Sequence, residues 1–118
     1  MQGMLITVAE LPEYIKRSAD LLDASERKSL IDYLAMHPRA GDLIEGTGGI
    51  RKLRWGRANR GKSSGVRVIY YFHDERMPLF LLTIFGKNEQ ANLSKAERNE
   101  LAKLVNILVD VGLKGHHE

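Results

Sequence analysis

The spacing of apolar residues along the chain predicts two helices, then a group of strands, then a last helix. A short strand is predicted over residues 5–8, and Pro12 stands near the first turn of the first helix, where its missing N–H costs nothing. The second helix is predicted to begin at Asp23, which forms a capping-box pattern with Glu26, and to end before Pro38. Four apolar residues of the first helix recur at helical spacing, namely Leu11, Ile15, Ala19 and Leu22.

The middle of the chain alternates between apolar and polar residues with the period of two that is typical of strands. Residues 50–55 place Lys52 and Arg54 on one face and Trp55 on the other, so we interpret Trp55 as a core residue rather than as a platform for stacked bases. Two further strands are predicted in segments rich in β-branched and aromatic residues, over residues 66–72 and 79–85.

The last helix is predicted to begin with a full capping box formed by Ser94 and Glu97. The predicted element order is therefore β-α-α-β-β-β-α, which indicates an α+β fold with an antiparallel sheet and helices packed on one face. At 118 residues the chain is long enough for one domain, residues 1–118, whose core needs no disulfides. The apolar stripe of the last helix consists of Leu101, Leu104, Val105, Leu108 and Val111.

Charged residues are segregated along the chain. Residues 46–73 carry seven of the 18 Arg and Lys residues and none of the 15 Asp and Glu residues. The rest of the chain therefore has 11 basic and 15 acidic residues, a surplus of four acids that the overall net charge of +3 conceals. A field of one sign attracts polyanions, of which nucleic acid is the commonest in a cell. The seven cations are Arg51, Lys52, Arg54, Arg57, Arg60, Lys62 and Arg67.

Composition argues against several kinds of site and location. The sequence contains no cysteine, which excludes disulfides, thiolate metal sites and a cysteine nucleophile. Its four histidines show no metal-ligand spacing, so neither a metal nor a cofactor is expected. No apolar run approaches the ~20 residues that cross a bilayer, and the start of the chain lacks the basic segment of a secretory signal. We therefore expect a cytoplasmic protein that does not associate with membranes.

One nucleotide-binding motif is present as a pattern. Residues 56–63 match the phosphate-loop sequence G-x-x-x-x-G-K-[ST], in which a helix after the loop holds the phosphates. The residues that follow, 66–71, are β-branched and aromatic and predict a strand instead. No apolar strand ending in Asp is left to hold magnesium. We therefore interpret the segment as a basic hairpin loop and expect no nucleotide.

Basic residues on neighbouring strands are the strongest candidates for a functional site. Lys52 and Arg54 share a face of one predicted strand, Arg67 and Tyr71 share a face of the next, and Lys87 follows the third. If these faces coincide, four cations and a phenol converge on an open side of the sheet. Such a surface could bind RNA, or it could cleave RNA through the RNA's own 2′-OH. That reaction needs a base, an acid and cations, but no metal.

Three runs of sequence resemble the bacterial RelE/HigB-type toxins of type II toxin–antitoxin modules, most closely the second HigB subgroup. They are residues 41–54 (GDLIEGTGGIRKLR), 65–72 (GVRVIYYF) and 81–89 (LLTIFGKNE). Together with the element order they cover most of the chain. The resemblance implies a microbial RNase fold and an endoribonuclease that cuts mRNA in the ribosomal A site and so inhibits translation. It also implies a cognate antitoxin protein as a partner, beside the ribosome and mRNA.

The resemblance also implies roles for single residues. Lys52 and Arg54 match the basic pair of the family's second strand, and Arg67 matches the arginine of the strand after it. Lys87 matches the basic residue that follows the last strand. RelE has an arginine where this chain has Asn88, and the tyrosine that RelE carries further on has no counterpart here. The candidates for general acid and base are Lys52, Lys87 and Tyr71. The other cations predicted to bind RNA or the ribosome are Arg51, Arg57, Arg60 and Lys62.

Two other functions remain open at this point. A gyrase inhibitor of the ParE branch shares the fold but lacks the phosphate-gripping cations on the strands, so the cation set argues against it. A non-catalytic module that binds RNA or the ribosome would keep the charge but would need no lysine placed for proton transfer. A cleavage assay with and without translating ribosomes separates these alternatives.

Overall fold

The computed structural model describes residues 5–56, 65–86 and 92–114. It has the α+β class that the sequence predicts, and it adds one two-residue strand, β2, to the predicted order. The elements in chain order are β1 (Val8–Glu10), α1 (Pro12–Leu21), α2 (Ala24–Met36), β2 (Asp42–Leu43), β3 (Ile50–Trp55), β4 (Val66–Tyr71), β5 (Leu79–Gly86) and α3 (Lys95–Lys114).

The five strands form one sheet in the order β1-β5-β4-β3-β2. β1 runs parallel to β5 and the other three pairs are antiparallel, so the sheet is mixed and the expectation of a wholly antiparallel sheet is wrong at this edge. Two helices and three strands separate β1 from β5, and a long connection permits parallel pairing where a tight turn does not. β1 pairs only with residues 79–81 of β5. Farther along β5, the Nε of Arg17 donates to the carbonyl of Ile84 at 2.6 Å.

The helices cover both faces of the sheet, which corrects the expectation that they pack on one face. Val68 and Tyr70 of β4 lie in a core cluster with residues of α1 and α2. Ile69 and Tyr71, which alternate with them, lie in a second cluster with residues of α3. β4 is apolar on both sides, because its residues 68–71 are all buried, and a strand of this kind needs cover on both faces.

The predicted helix starts are confirmed, whereas the predicted apolar faces are confirmed only in part. Asp23 and Glu26 form the reciprocal hydrogen bonds of a capping box, at 2.7 and 2.9 Å. The buried residues of α1 are Tyr14 and Ser18, and the predicted stripe residue Leu22 is buried just after the helix, whereas Ile15 is 43% exposed. In α3 the first four stripe residues lie in or against the core cluster on that face, but Val111 is 65% exposed. In the parts of the chain that are described, no helix is both long and apolar enough to span a lipid bilayer.

Candidate functional site

The pairing of β3 with β4 brings three cations together on one face. Arg54 stands directly opposite Arg67, and Lys52 stands opposite Ile69, which makes Lys52 a diagonal neighbour of Arg67. Cβ atoms of directly opposed residues lie about 5 Å apart, and those of diagonal neighbours lie about 7–8 Å apart. Side chains as long as Lys and Arg can therefore converge on one anion. We call Lys52, Arg54 and Arg67 the cation cluster.

The cation cluster occupies the part of this face that α3 leaves uncovered. At the other end of β3 and β4, Ile50, Ile69 and Tyr71 are buried in the core cluster that includes α3. Arg54 is exposed, and Lys52 and Arg67 are half-buried. Because strands expose alternate residues to one face, the same two strands supply both the apolar floor beneath α3 and the open cationic end.

Arg67 has an unusual electrostatic position. Its Nη1 is buried and has no hydrogen-bond partner among the described residues, and no described acidic side chain forms an ion pair with Arg67 or Arg54. Like charges directly opposite one another destabilise a sheet, and an unsatisfied buried donor adds a further cost. A phosphate bound between the two side chains would offset the repulsion between the two cations.

Lys52 has two polar neighbours that no local pattern in the sequence predicts. Its Nζ donates to Oδ1 of Asn92 at 2.8 Å, so the segment just before α3 holds this ammonium group. Asp42 of β2 stands directly opposite Lys52, and it brings one acid to the edge of the cation cluster. The sequence signal for Asp42 would have been the short strand β2, but two residues are too few to show an alternating pattern.

Tyr71 shares the face of the cation cluster but lies at its covered end. It is four residues from Arg67, roughly 13 Å along the strand, and only 4% exposed. Burial raises the pKa of its phenol, and the nearby negative charge of Asp74 raises that pKa further. The phenol oxygen lies 3.0 Å from Nδ1 of His73. The structure therefore does not bring Tyr71 together with the cations, and its catalytic role stays a prediction that this position does not favour.

Arg51 lies on the opposite face of β3. It stands opposite Tyr70, which belongs to the core cluster under α1 and α2. Its Nη1 donates to the carbonyls of Arg39 at 3.2 Å and Gly41 at 2.7 Å. This guanidinium therefore holds the segment that leads into β2, and the structure does not place it in the cation cluster.

The turn before β3 depends on close backbone approaches. The hydroxyl of Thr47 donates to the carbonyl of Ile44 at 2.6 Å, and the N–H of Ile44 donates to the carbonyl of Ile50 at 2.8 Å. Gly49 has a φ of +118°, and a Cβ there would come within 3.0 Å of the ring of Tyr71. The Gly-rich run therefore sets where β3 begins, and with it the register that places Arg54 opposite Arg67.

Comparison with known proteins identifies the family. A family model described as the RelE toxin of the RelE/RelB toxin–antitoxin system matches residues 33–115. The chain belongs to the RelE toxin family. A solved structure of E. coli toxin RelE, a double arginine-to-alanine mutant in the free state, matches with a TM-score of 0.58 at 18% sequence identity. That match covers 86% of this chain and 99% of the E. coli chain.

These findings confirm the predicted resemblance to RelE and the predicted RelE-like fold. The assignment to the second HigB subgroup stays a prediction. Strand β4 begins at Val66, so the segment that resembles a phosphate loop is followed by a strand, as the sequence predicts, and not by the helix that a phosphate loop requires.

Four of the predicted site residues lie outside the described residues. The described part of the predicted catalytic set therefore consists of the cation cluster and the more distant Tyr71. Within residues 5–56, 65–86 and 92–114, no three His, Asp or Glu side chains are grouped so that they could hold a metal ion. The four residues outside the described ranges are Arg57, Arg60, Lys62 and Lys87.

Proposed function

We propose that this protein is a ribosome-dependent endoribonuclease that cuts mRNA in the A site and is neutralised by a cognate antitoxin. Membership of the RelE toxin family supports a toxin of a toxin–antitoxin pair. The observation that carries the proposal of RNA cleavage is the direct opposition of Arg54 and Arg67, with a buried Nη1 of Arg67 that has no described partner. Such a pair is stabilised when a phosphate binds between the two guanidiniums.

The proposed reaction uses the RNA's own 2′-OH as nucleophile. A base takes the 2′-OH proton, the 2′-oxygen bonds to the adjacent phosphorus, and the bond from phosphorus to the 5′-oxygen breaks as an acid protonates that oxygen. Arg54 and Arg67 stabilise the additional negative charge on the phosphorane. Lys52 is the described candidate for proton transfer because it is diagonal to Arg67. Lys87, which follows Gly86 in the sequence, is the second candidate.

The same charges define the proposed partners. The cation cluster forms an open cationic surface, which an acidic segment of an antitoxin could cover. The ribosome would hold mRNA against the cluster, and the protein would therefore act in the cytoplasm, where translation takes place. The other basic residues of the 46–73 segment would add attraction to RNA that weakens with salt.

An mRNA cleavage assay with and without translating ribosomes tests this proposal. We expect new mRNA 5′ ends at A-site codons only when ribosomes are present, and we expect the cognate antitoxin to suppress them. Lys28→Ala is a matched control, because Lys28 is an exposed cation on α2 that pairs with Asp32, away from the cation cluster. This variant should cleave like the parent.

Other outcomes of the same assay would contradict the proposal. Ribosome binding without new mRNA ends would support the non-catalytic binding module instead. Inhibition of gyrase-dependent DNA supercoiling, with intact mRNA, would support a ParE-like function on this fold.

A further inference from the structure

A second surface of the molecule combines aromatic rings with a cation. The ring of Tyr33 on α2 lies 5.3 Å from the ring of Trp55 at the end of β3, and 4.8 Å from the ring of His37. The rings are tilted by 50° and 43° rather than stacked, and Tyr33 remains 38% exposed. Part of the Tyr33 side chain is therefore open to solvent. We call Tyr33, His37 and Trp55 the ring cluster.

A shallow groove of about 410 Å³ runs beside the ring cluster. The guanidinium carbon of Arg39, which is one of the lining residues, lies 4.9 Å from the centre of the Phe72 ring, a distance typical of a cation–π contact. No acidic residue is among the described residues that line it. The lining consists of Tyr33, His37, Pro38, Arg39 and Ala40.

The ring cluster and the cation cluster lie on either side of one strand edge. β2 pairs with β3 only at residues 51 and 52, so residues 53–55 of β3 have no strand partner on that side among the described residues. Arg54 belongs to the cation cluster on one face of β3. Its neighbour Trp55 packs on the other face, against the core cluster under α1 and α2. An extended chain held at Arg54 can therefore pass around this edge and reach the rings of Trp55 and Tyr33.

We propose that the exposed rings of the ring cluster, Tyr33 and His37, form a base-stacking site for single-stranded RNA that continues from the cation cluster, while Trp55 packs against the core behind them. The proposal rests on the proposed function, because that function makes RNA the ligand. Single-stranded RNA exposes flat bases and a phosphate backbone, and it is bound by surfaces that combine aromatic rings with cations. The groove offers rings, a guanidinium and no described acid. A base that stacks on Tyr33 would bring its phosphate within reach of Arg39, which lines the same groove.

Trp55 provides the measurement, because it is the only tryptophan in the sequence. Titration with a short single-stranded RNA should quench its fluorescence in a saturable way. Tyr33→Phe keeps the ring and should bind like the parent. Tyr33→Leu keeps an apolar side chain against Trp55 but removes the stacking surface, and it should bind about fivefold more weakly or worse. His37→Ala, at an exposed position, is a second variant that should also weaken binding.

Three results would overturn the inference. The first is binding by Tyr33→Leu and His37→Ala within twofold of the parent, with all variants folded by circular dichroism. The second is RNA that binds without changing Trp55 fluorescence. The third is an antitoxin affinity that falls in Tyr33→Leu while its RNA affinity stays at the parent value.

The ribosomal cleavage assay on the same variants separates this inference from the proposed function. If the parent cleaves mRNA but RNA binding does not depend on Tyr33, the inference fails and the proposed function stands. If RNA binding depends on Tyr33 but the parent cuts no mRNA, the inference stands and the proposed function fails.

Discussion

Arg51 and Arg67 lie on adjacent paired strands but face opposite sides of the sheet, and they show how differently the two faces use the same side chain. Arg51 faces α1 and α2, and its Nη1 donates to two backbone carbonyls. Its Nε is buried and donates to no described acceptor. Arg67 faces the uncovered end of the other side, stands opposite Arg54, and has a buried Nη1 without a described partner.

The face of the sheet on which a cation lies, and not the local density of charge, therefore separates a structural cation from a candidate functional one. A guanidinium that already donates to backbone carbonyls stabilises the fold, and it has fewer donors left for a ligand. A guanidinium that faces another cation costs stability until an anion binds. The predictions that follow test this contrast between the covered and the uncovered parts of the molecule.

The largest effect on stability is expected beneath α3. Ile69→Ala removes a fully buried side chain two residues from Arg67 on the same face, and it should lower the free energy of unfolding by about 2–5 kcal/mol. Ile107→Ala is the matched control, because Ile107 is 60% exposed on α3 and should change the free energy of unfolding by less than about 0.5 kcal/mol. Urea unfolding of both variants measures the difference. Equal losses of unfolding free energy in Ile69→Ala and Ile107→Ala would show that α3 does not bury this part of the face.

A smaller effect on stability separates the two faces of β3. Arg51→Met should lower the free energy of unfolding by about 1–3 kcal/mol, because it removes charged hydrogen bonds to two carbonyls. It should leave single-turnover cleavage by the folded protein near the parent rate. Arg54→Met is the matched variant on the other face and should show the reverse, with stability kept and cleavage lost. Loss of cleavage in Arg51→Met alone would reverse the proposed roles of the two faces.

The smallest effect is expected at the turn after β4. The guanidinium of Arg76 donates to both carboxylate oxygens of Asp74 and holds the pKa of Asp74 well below its usual range, at about 2. This contribution to stability is complete above the unfolded pKa near 4, and it is lost as the pH falls through the folded pKa. Asp74→Asn should therefore show a flatter loss of stability than the parent between about pH 4 and pH 2, measured by thermal unfolding at each pH. Identical profiles of stability against pH for the parent and Asp74→Asn would contradict the pairing of Asp74 with Arg76.

Much of the fold follows from local patterns in the sequence. The capping boxes at Asp23 and Ser94 fix two helix starts, and both form in the structure. The alternation in residues 50–55 predicts which cations share a face. The parallel placement of β1 and the burial of both faces of β4 were not predicted, because they depend on which elements meet after long connections.

Only part of the candidate site follows from the sequence. The grouping of Lys52, Arg54 and Arg67 on one face was predicted from alternation and agrees with the strand register. The contact of Lys52 with Asn92 could not be predicted, because the two residues are 40 positions apart and no local pattern joins them. Membership of the basic segment predicts Arg51 to be a binding cation, but the alternation along β3 puts it on the other face, where it donates to two backbone carbonyls.

In the proposed function the cation cluster acts in the chemistry of RNA cleavage as well as in binding. The most direct measurement is the single-turnover rate at which ribosome-bound mRNA is cut by Arg67→Ala at saturating protein, with Lys28→Ala as control. Removing a preorganised stabiliser of developing charge typically costs about 10²–10³ in rate. We expect Arg67→Ala to lose that much, to remain folded by circular dichroism and to keep most of its ribosome binding. Cleavage by Arg67→Ala at the rate of the Lys28→Ala control would contradict the proposed catalytic role of the cation cluster.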